Sequence, residues 1–218
     1  MIKSKKLEGL SDYEPIWDAM QQFTEARTEE SPDEIWQVEH KPVYTLGQAG
    51  KPEHILNPGQ IPIVHCNRGG QVTYHGPGQA VVYPLLRLSR YKMFVKEYVE
   101  SLEDAIISTL AYFGIPNACR KDKAPGVYVP MEGEVIGDGL AKIAALGVKI
   151  TKGCTYHGLA INVAMDLKPY AGINPCGYEG LRTIDMQTLG INATVTEVSD
   201  KVVEELQKIF NAKLAQVE

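Results

Sequence analysis

From Glu34 to Leu85 the chain is cut into short apolar runs by closely spaced prolines and glycines, and this pattern constrains the fold more than any other feature. EIWQVEH (34–40) alternates polar and apolar residues, VYTLG follows a break at Pro42, and IVHC, QVTYHG and QAVVYPLLRL alternate around glycines. Short runs bounded by turn residues read as strands. Several strands therefore meet tight turns here, with KPEHILNPGQIP (51–62), punctuated by Pro52, Pro58, Gly59 and Pro62, as a loop among them. Strand patterns return at GVYVP (126–130), KIAALGVKI (142–150) and CTYHGLAINVAM (154–165).

Helical periodicity is confined to three places. Ile16, Trp17, Met20 and Phe23 form one stripe, so the spacing predicts a helix over Tyr13 to Arg27 as the first element after the start. Phe94, Tyr98, Leu102, Ile106, Leu110 and Phe113 recur every three or four residues until Gly114 and Pro116 stop them, which predicts a long central helix. Thr194 and Glu197 fit a capping box ahead of a stripe through Val202, Val203, Leu206, Ile209, Phe210 and Leu214. Strands outnumber helices and arrive in consecutive runs. The expected class is α/β (α+β), with mixed, largely antiparallel sheets and packed helices. No linker, repeat or low-complexity segment interrupts the chain, so residues 1–218 are expected to form a single domain.

Hydrophobic residues at 44% and charged residues at 22% are ordinary globular values and exclude disordered and fibrous classes. A net charge of -5 argues against nucleic acid as a partner, because that binding neutralises phosphates with Lys and Arg. Any basic docking patch is local, with Arg120, Lys121, Lys123, Lys149 and Lys152 as its candidates. The start, MIKSKKLEGLSDYEP, has no apolar h-region, and no apolar run approaches a membrane span. The four cysteines form no CxxC pair, which suits a reducing compartment; a cytoplasmic protein is expected, and a monomer, since no exposed heptad is present. No Cys or His set has metal-ligand spacing, so no metal site is expected.

The densest chemical cluster is RGGQVTYHGPGQ (68–79), where glycines surround a cation, a phenol and an imidazole. Glycines let backbone amides approach a ligand closely. The segment matches neither GxxxxGK[ST] nor a GxGxxG that opens a helix, because QAVVYPLL reads as a strand, so a nucleotide cradle is a poor reading. Among candidate nucleophiles, Cys66 and Cys119 read as small hydrophobes, and Cys154 faces away from His157 on an alternating strand. Cys176 lies in NPCGY, an irregular segment where Pro175 and Gly177 can present a side chain at a turn. A thiol needs a base, and His75, His157, Lys142, Lys149 and Lys152 are all available; spacing does not choose among them. Lys142 is distinguished by opening an apolar strand after the acidic loop Met131 to Ala141. Desolvation there would lower its pKa from roughly 10.4.

RGGQVTYHGPGQ, KIAALG, TYHGLAINV and NPCGYEG, in this order, resemble the octanoyltransferase, or lipoyl(octanoyl) transferase, family of protein lipoylation, over about Tyr13 to Phe210. The resemblance implies the catalytic-domain fold of biotin and lipoate protein ligases. It implies an acyl-thioester cysteine at Cys176 and, at Lys142, the lysine that lowers the thiol pKa. It further implies substrate contacts at Arg68, Gly69, Gly70, Gln71, Val72, Thr73, Tyr74 and His75, at Ala145, Leu146 and Gly147, and at Gly158, Leu159 and Ala160, with His157 in support. No cofactor is implied. The donor would be octanoyl on acyl carrier protein, and the acceptors would be lysines of lipoyl domains of 2-oxoacid dehydrogenases and of the glycine-cleavage H protein. The 131–141 loop is long and acidic for the family. Two other readings suit parts of the pattern: an ATP-dependent lipoate or biotin ligase, which would release pyrophosphate, and a module that senses acylated carrier protein, which would not need Cys176.

Overall fold

In a computed structural model of the protein, residues 2–131 and 139–217 are described; most of the acidic 131–141 loop, whose conformation the sequence leaves open, lies outside them. In chain order the elements are β1 (Lys3–Ser11), α1 (Tyr13–Glu25), β2 (Glu34–His40), β3 (Val43–Leu46), β4 (Ile63–His65), β5 (Val72–His75), β6 (Gln79–Leu85), α2 (Val95–Tyr112), β7 (Val127–Pro130), β8 (Leu140–Thr151), β9 (Cys154–Asn162) and α3 (Val195–Ala215). The strands build a six-stranded sheet in the order β1-β2-β6-β9-β8-β7 and a three-stranded sheet in the order β4-β3-β5. Among the described residues, β1 with β2 and β3 with β4 are the strand pairs that run parallel; the other pairs are antiparallel.

The first element is a strand, not the helix expected from periodicity. KSKKLEGLS is mostly exposed and carries no alternating apolar pattern. What holds it is the backbone ladder to β2, from Lys3 opposite Glu34 to Ser11 opposite His40, together with Ile2 buried in the core. An edge strand of this kind has no side-chain signature to read.

Alternation along the central strands separates two layers. On β6, Ala80 and Val82 face the core shared with α2 and α3, where Tyr98, Leu102, Ile106, Leu110, Val202, Leu206 and Phe210 are buried. Val81, Tyr83 and Leu85 face the other side, where Met20 of α1 packs with Trp36, Val38, Tyr156 and Ala160. The C-terminal helix begins as its capping box demands: Thr194 Oγ1 accepts from Glu197 N (3.2 Å), and Glu197 Oε2 accepts from Thr194 N (2.8 Å).

The alternation breaks on β8. Ala141, Ile143 and Ala144 all belong to the helix-facing core, so two consecutive residues, Ile143 and Ala144, share one face. The pairing with β7 slips at the same point, from Val127 opposite Ala144 to Tyr128 opposite Lys142. Such a bulge adds one residue to the strand. It brings Lys142 to the α1 side of the sheet, the side of Ala145 and its neighbour Ala160, although an unbroken alternation from Ala145 would have sent it the other way.

Candidate active site

A cavity of about 300 Å³ lies on the α1 side of the large sheet, roofed by β5 and the 68–71 loop. Of the residues expected at a substrate site, Arg68, Gly69, Gly70, Gln71, Val72, Thr73, His75, Ala145, Leu146, Gly147, His157, Gly158, Leu159 and Ala160 line it, together with Lys142 and Cys176. Tyr74 does not. Alternation on β5 turns it into the small sheet's own core, where its ring packs against Tyr44 and Tyr170 at 5.6 Å.

The glycine-rich loop is held by its own arginine. Arg68, 6% exposed, donates to Thr45 Oγ1 (2.9 Å) and to the carbonyls of Thr45 (2.6 Å), Gly69 (2.8 Å) and Gln71 (2.7 Å). Gly69 N in turn donates to Val148 O of β8 (2.9 Å), so the loop is stitched to the sheet it covers. The two histidines that line the cavity are neutral at physiological pH. Burial lowers His75 to about 3, helped by the neighbouring His40, and burial with the nearby Arg68 lowers His157 to about 3. Neither ring approaches Cys176 as Lys142 does.

Lys142 Nζ stands 3.0 Å from Cys176 Sγ and donates to Pro125 O at 2.9 Å. Its ammonium also lies 5.2 Å from the centre of the Tyr128 ring, and Lys142 is only 4% exposed. The room for it comes from Gly126, at φ 138°, where a Cβ would stand 2.6 Å from Lys142 Cε. The chain after Cys176 returns to the same strand: Lys142 N donates to Arg182 O (2.8 Å) and Ile184 N to Lys142 O (3.0 Å). Lysine and cysteine are thus tied through backbone as well as through side chains.

Cys176 occupies a left-handed conformation, φ 57° and ψ 16°, within the turn Pro175–Gly177. For a residue with a Cβ this costs about 1–2 kcal/mol. The turn is pinned by hydrogen bonds from Asn174 N to His54 O, from Gly177 N to Asn174 O and from Tyr178 N to Pro175 O (2.8, 2.9 and 3.1 Å). Strain of this kind persists only where the surroundings impose it, and it clusters at functional sites.

The pKa of Lys142 moves opposite to expectation. Desolvation is the largest single cause and lowers it, but the charge of Cys176 and, secondarily, Tyr128 outweigh burial and raise it above 10.5. The strand context indicated burial; it did not indicate a sulfur beside the amine. Tyr13, Val81, Tyr83, Tyr128 and Tyr178 also line the cavity, and none was identified from sequence: the first four lie in a helix or strand, where such residues read equally well as core, and Tyr178 lies in the irregular segment after Cys176. The anticipated basic patch is divided: Arg120 pairs with Glu103 and Asp104, Lys149 donates to Gln48, Lys121 lies over the Tyr128 and Tyr178 rings, and Lys123 lines the cavity.

Comparison with known proteins identifies the family of the chain. The family described as lipoyl protein ligase A/B catalytic domain matches residues 12–207. An octanoyltransferase of Bordetella petrii is 60% identical over 204 residues, 93% of this chain and 93% of that protein. One from Albidiferax ferrireducens is 52% identical over 217 residues, 92% of this chain and 94% of that protein. Among solved structures, a chain from the archaeal lipoylation system of Thermoplasma acidophilum, a bi-partite lipoate protein ligase and its E2 lipoyl domain, matches with a TM-score of 0.74 at 12% identity, covering 97% of this chain and 85% of that one. Biotin protein ligase from Aquifex aeolicus in complex with biotin and ATP matches at 0.55 and 12%, covering 96% and 70%. At such identity the structures establish the shared fold alone, and it is the ligase catalytic-domain fold that the resemblance implied. This chain belongs to the lipoyl protein ligase A/B catalytic-domain family and, within it, to the octanoyltransferases.

Proposed function

We propose that this acyltransferase carries the octanoyl group as a thioester on Cys176, taking it from acyl carrier protein and passing it to a lysine of a lipoyl domain or of the glycine-cleavage H protein. The observation that carries this reading is the 3.0 Å contact between Lys142 Nζ and Cys176 Sγ at the lip of a largely apolar cavity. The thiolate, not the thiol, is the nucleophile, and an ammonium at this distance favours it. With Lys142 as the ammonium and Cys176 as the thiolate, the sulfur attacks the donor's carbonyl carbon. As the C–S bond to the carrier breaks, the departing carrier thiolate takes a proton from the Lys142 ammonium.

The same charges set up the second half. Once Cys176 is acylated its sulfur carries no charge, so the main influence raising the Lys142 pKa is gone and desolvation, which lowers it, remains. Lys142 is then a neutral amine placed to accept a proton from the acceptor lysine as that lysine attacks the thioester. The product amide forms and Cys176 leaves as thiolate. Thioester to amide is downhill because the amide gains resonance, so the step needs no ATP. Unpaired cysteines, Cys176 among them, suit a reducing cytoplasm.

Mixing the protein with octanoyl acyl carrier protein and following intact mass tests this directly. Wild type should gain one octanoyl group that hydroxylamine removes, and Cys176→Ala should gain none. An equal hydroxylamine-labile adduct on Cys176→Ala would refute the assignment.

A further inference from the structure

A buried carboxylate stands behind Lys142, outside the lining of the cavity. Of the four acidic residues on α2, Glu97, Glu100, Glu103 and Asp104, Glu103 alone is buried, at 6% exposure. A carboxylate leaves water only where partners replace its hydration. One of its oxygens has a cation: Oε2 accepts from Arg120 Nε at 2.8 Å, and the same guanidinium reaches Asp104 Oδ1 at 2.8 Å. The other, Oε1, accepts from the backbone N–H of Gly126 at 3.0 Å.

That N–H belongs to the same peptide group as the Pro125 carbonyl, and the carbonyl accepts from Lys142 Nζ at 2.9 Å. The contacts therefore run without a break from Glu103 Oε1 through the Pro125–Gly126 peptide to Lys142 Nζ and, 3.0 Å beyond, to Cys176 Sγ. A peptide group is planar, so bonding its N–H end fixes the direction of its carbonyl end. An anion on the N–H also makes the carbonyl oxygen more negative, because hydrogen bonds in a chain polarise one another. The first effect sets the position of the ammonium, and the second strengthens its bond to Pro125 O. Little slack surrounds this peptide. A Cβ on Gly126 would stand 2.6 Å from Lys142 Cε and 2.8 Å from Ala144 O, so the glycine packs directly against the lysine and β8. The Arg120 ion pair is enough to tie α2 to the 120–126 segment; the second oxygen is placed on the one amide whose carbonyl holds Lys142.

We propose that Glu103 is a positioning residue for acyl transfer: through the Pro125–Gly126 peptide it holds the Lys142 ammonium against Cys176, as the third member of a Cys176–Lys142–Glu103 array. This rests on the reading of Lys142 and Cys176 as the reactive pair. Glu103 touches neither the sulfur nor the cavity. Its effect is exerted on a flexible four-carbon stem with three rotatable donors. Without a fixed carbonyl the ammonium turns from the sulfur, and the thiolate loses the charge that favours it.

Rates of Cys176 alkylation from pH 6 to 9 with a small alkylating agent test this without any acyl donor. Glu103→Gln removes the charge at nearly constant shape and should slow alkylation at pH 7 by about five-fold, the effect of one net hydrogen bond, with the profile moved to higher pH. In a Lys142→Gln background the same change should slow it no further, because Glu103 acts through that lysine, whereas general loosening would add its effect. Glu103→Asp keeps the charge but falls about 1.5 Å short of Gly126; it should slow alkylation as well, which gives the answer if Glu103→Gln fails to fold. A folded Glu103→Gln or Glu103→Asp with the wild-type profile, or equal slowing with and without Lys142, would overturn the role of Glu103 alone. Lys142→Gln with the wild-type profile would overturn the reactive pair and the role of Glu103 together.

Discussion

Lys142 shows how a single residue changes meaning when its neighbour is known. Its place at the head of KIAALG indicates burial, and burial alone predicts a depressed pKa. The sulfur 34 positions away reverses the sign: the pKa is raised, so the ammonium persists through neutrality and is lost only as pH rises beyond the ordinary lysine value of 10.5. Lys142→Gln removes the cation while keeping much of the side chain. Cys176 alkylation near pH 7 should then slow by about ten-fold, because an unassisted thiol is mostly protonated there. Rates measured from pH 6 to 9 with a small alkylating agent provide the check, and a profile identical to wild type would remove Lys142 from the proposed role. Cys176 itself was identifiable through NPCGYEG, but its left-handed backbone was not, since Pro175 and Gly177 permit several turns and only the His54 and Asn174 hydrogen bonds select this one.

Among the elements, the helices were the most legible. Their apolar stripes repeat over many turns, and α3 even carries its start signal in Thr194 and Glu197. Thr194→Ala should lower stability by about 1 kcal/mol, seen as a lower urea midpoint at unchanged slope. Because α3 packs on the face of the sheet away from the cavity, octanoyl transfer per folded molecule should stay at the wild-type level. An unchanged midpoint would mean that the cap contributes nothing. β1 and the β8 bulge were illegible for a common reason: both depend on backbone pairing with a partner strand, β2 in one case and β7 in the other, and side-chain pattern reports backbone pairing only where it also reports burial.

At the scale of the whole molecule, folding closes the two sheets over a cavity and buries three histidines beside it. His40 is lowered to about 4, and His75 and His157 to about 3, in each case chiefly by burial. All three stay neutral in the native state, while the unfolded chain takes up protons below about 6.5. The unfolded state therefore binds more protons as pH falls from 6.5 toward 4, and stability is lost over that window, by up to about 1.4 kcal/mol per pH unit for each histidine. Thermal unfolding should show Tm falling steeply between pH 7 and 5, with a shallower slope in His75→Gln; a flat Tm over that range would contradict the burial of these rings as neutral groups. The sequence by itself determined the class of fold, the helices, most strands, the family and the two residues proposed for chemistry, because periodicity and ordered motifs are local properties of a chain. Tertiary structure alone decided that Lys142 lies beside a sulfur, that Tyr74 turns away from the cavity, and that Tyr13, Tyr83 and His157 line it together. Each of these depends on distance in space between residues remote in the chain, and local sequence pattern does not encode that distance.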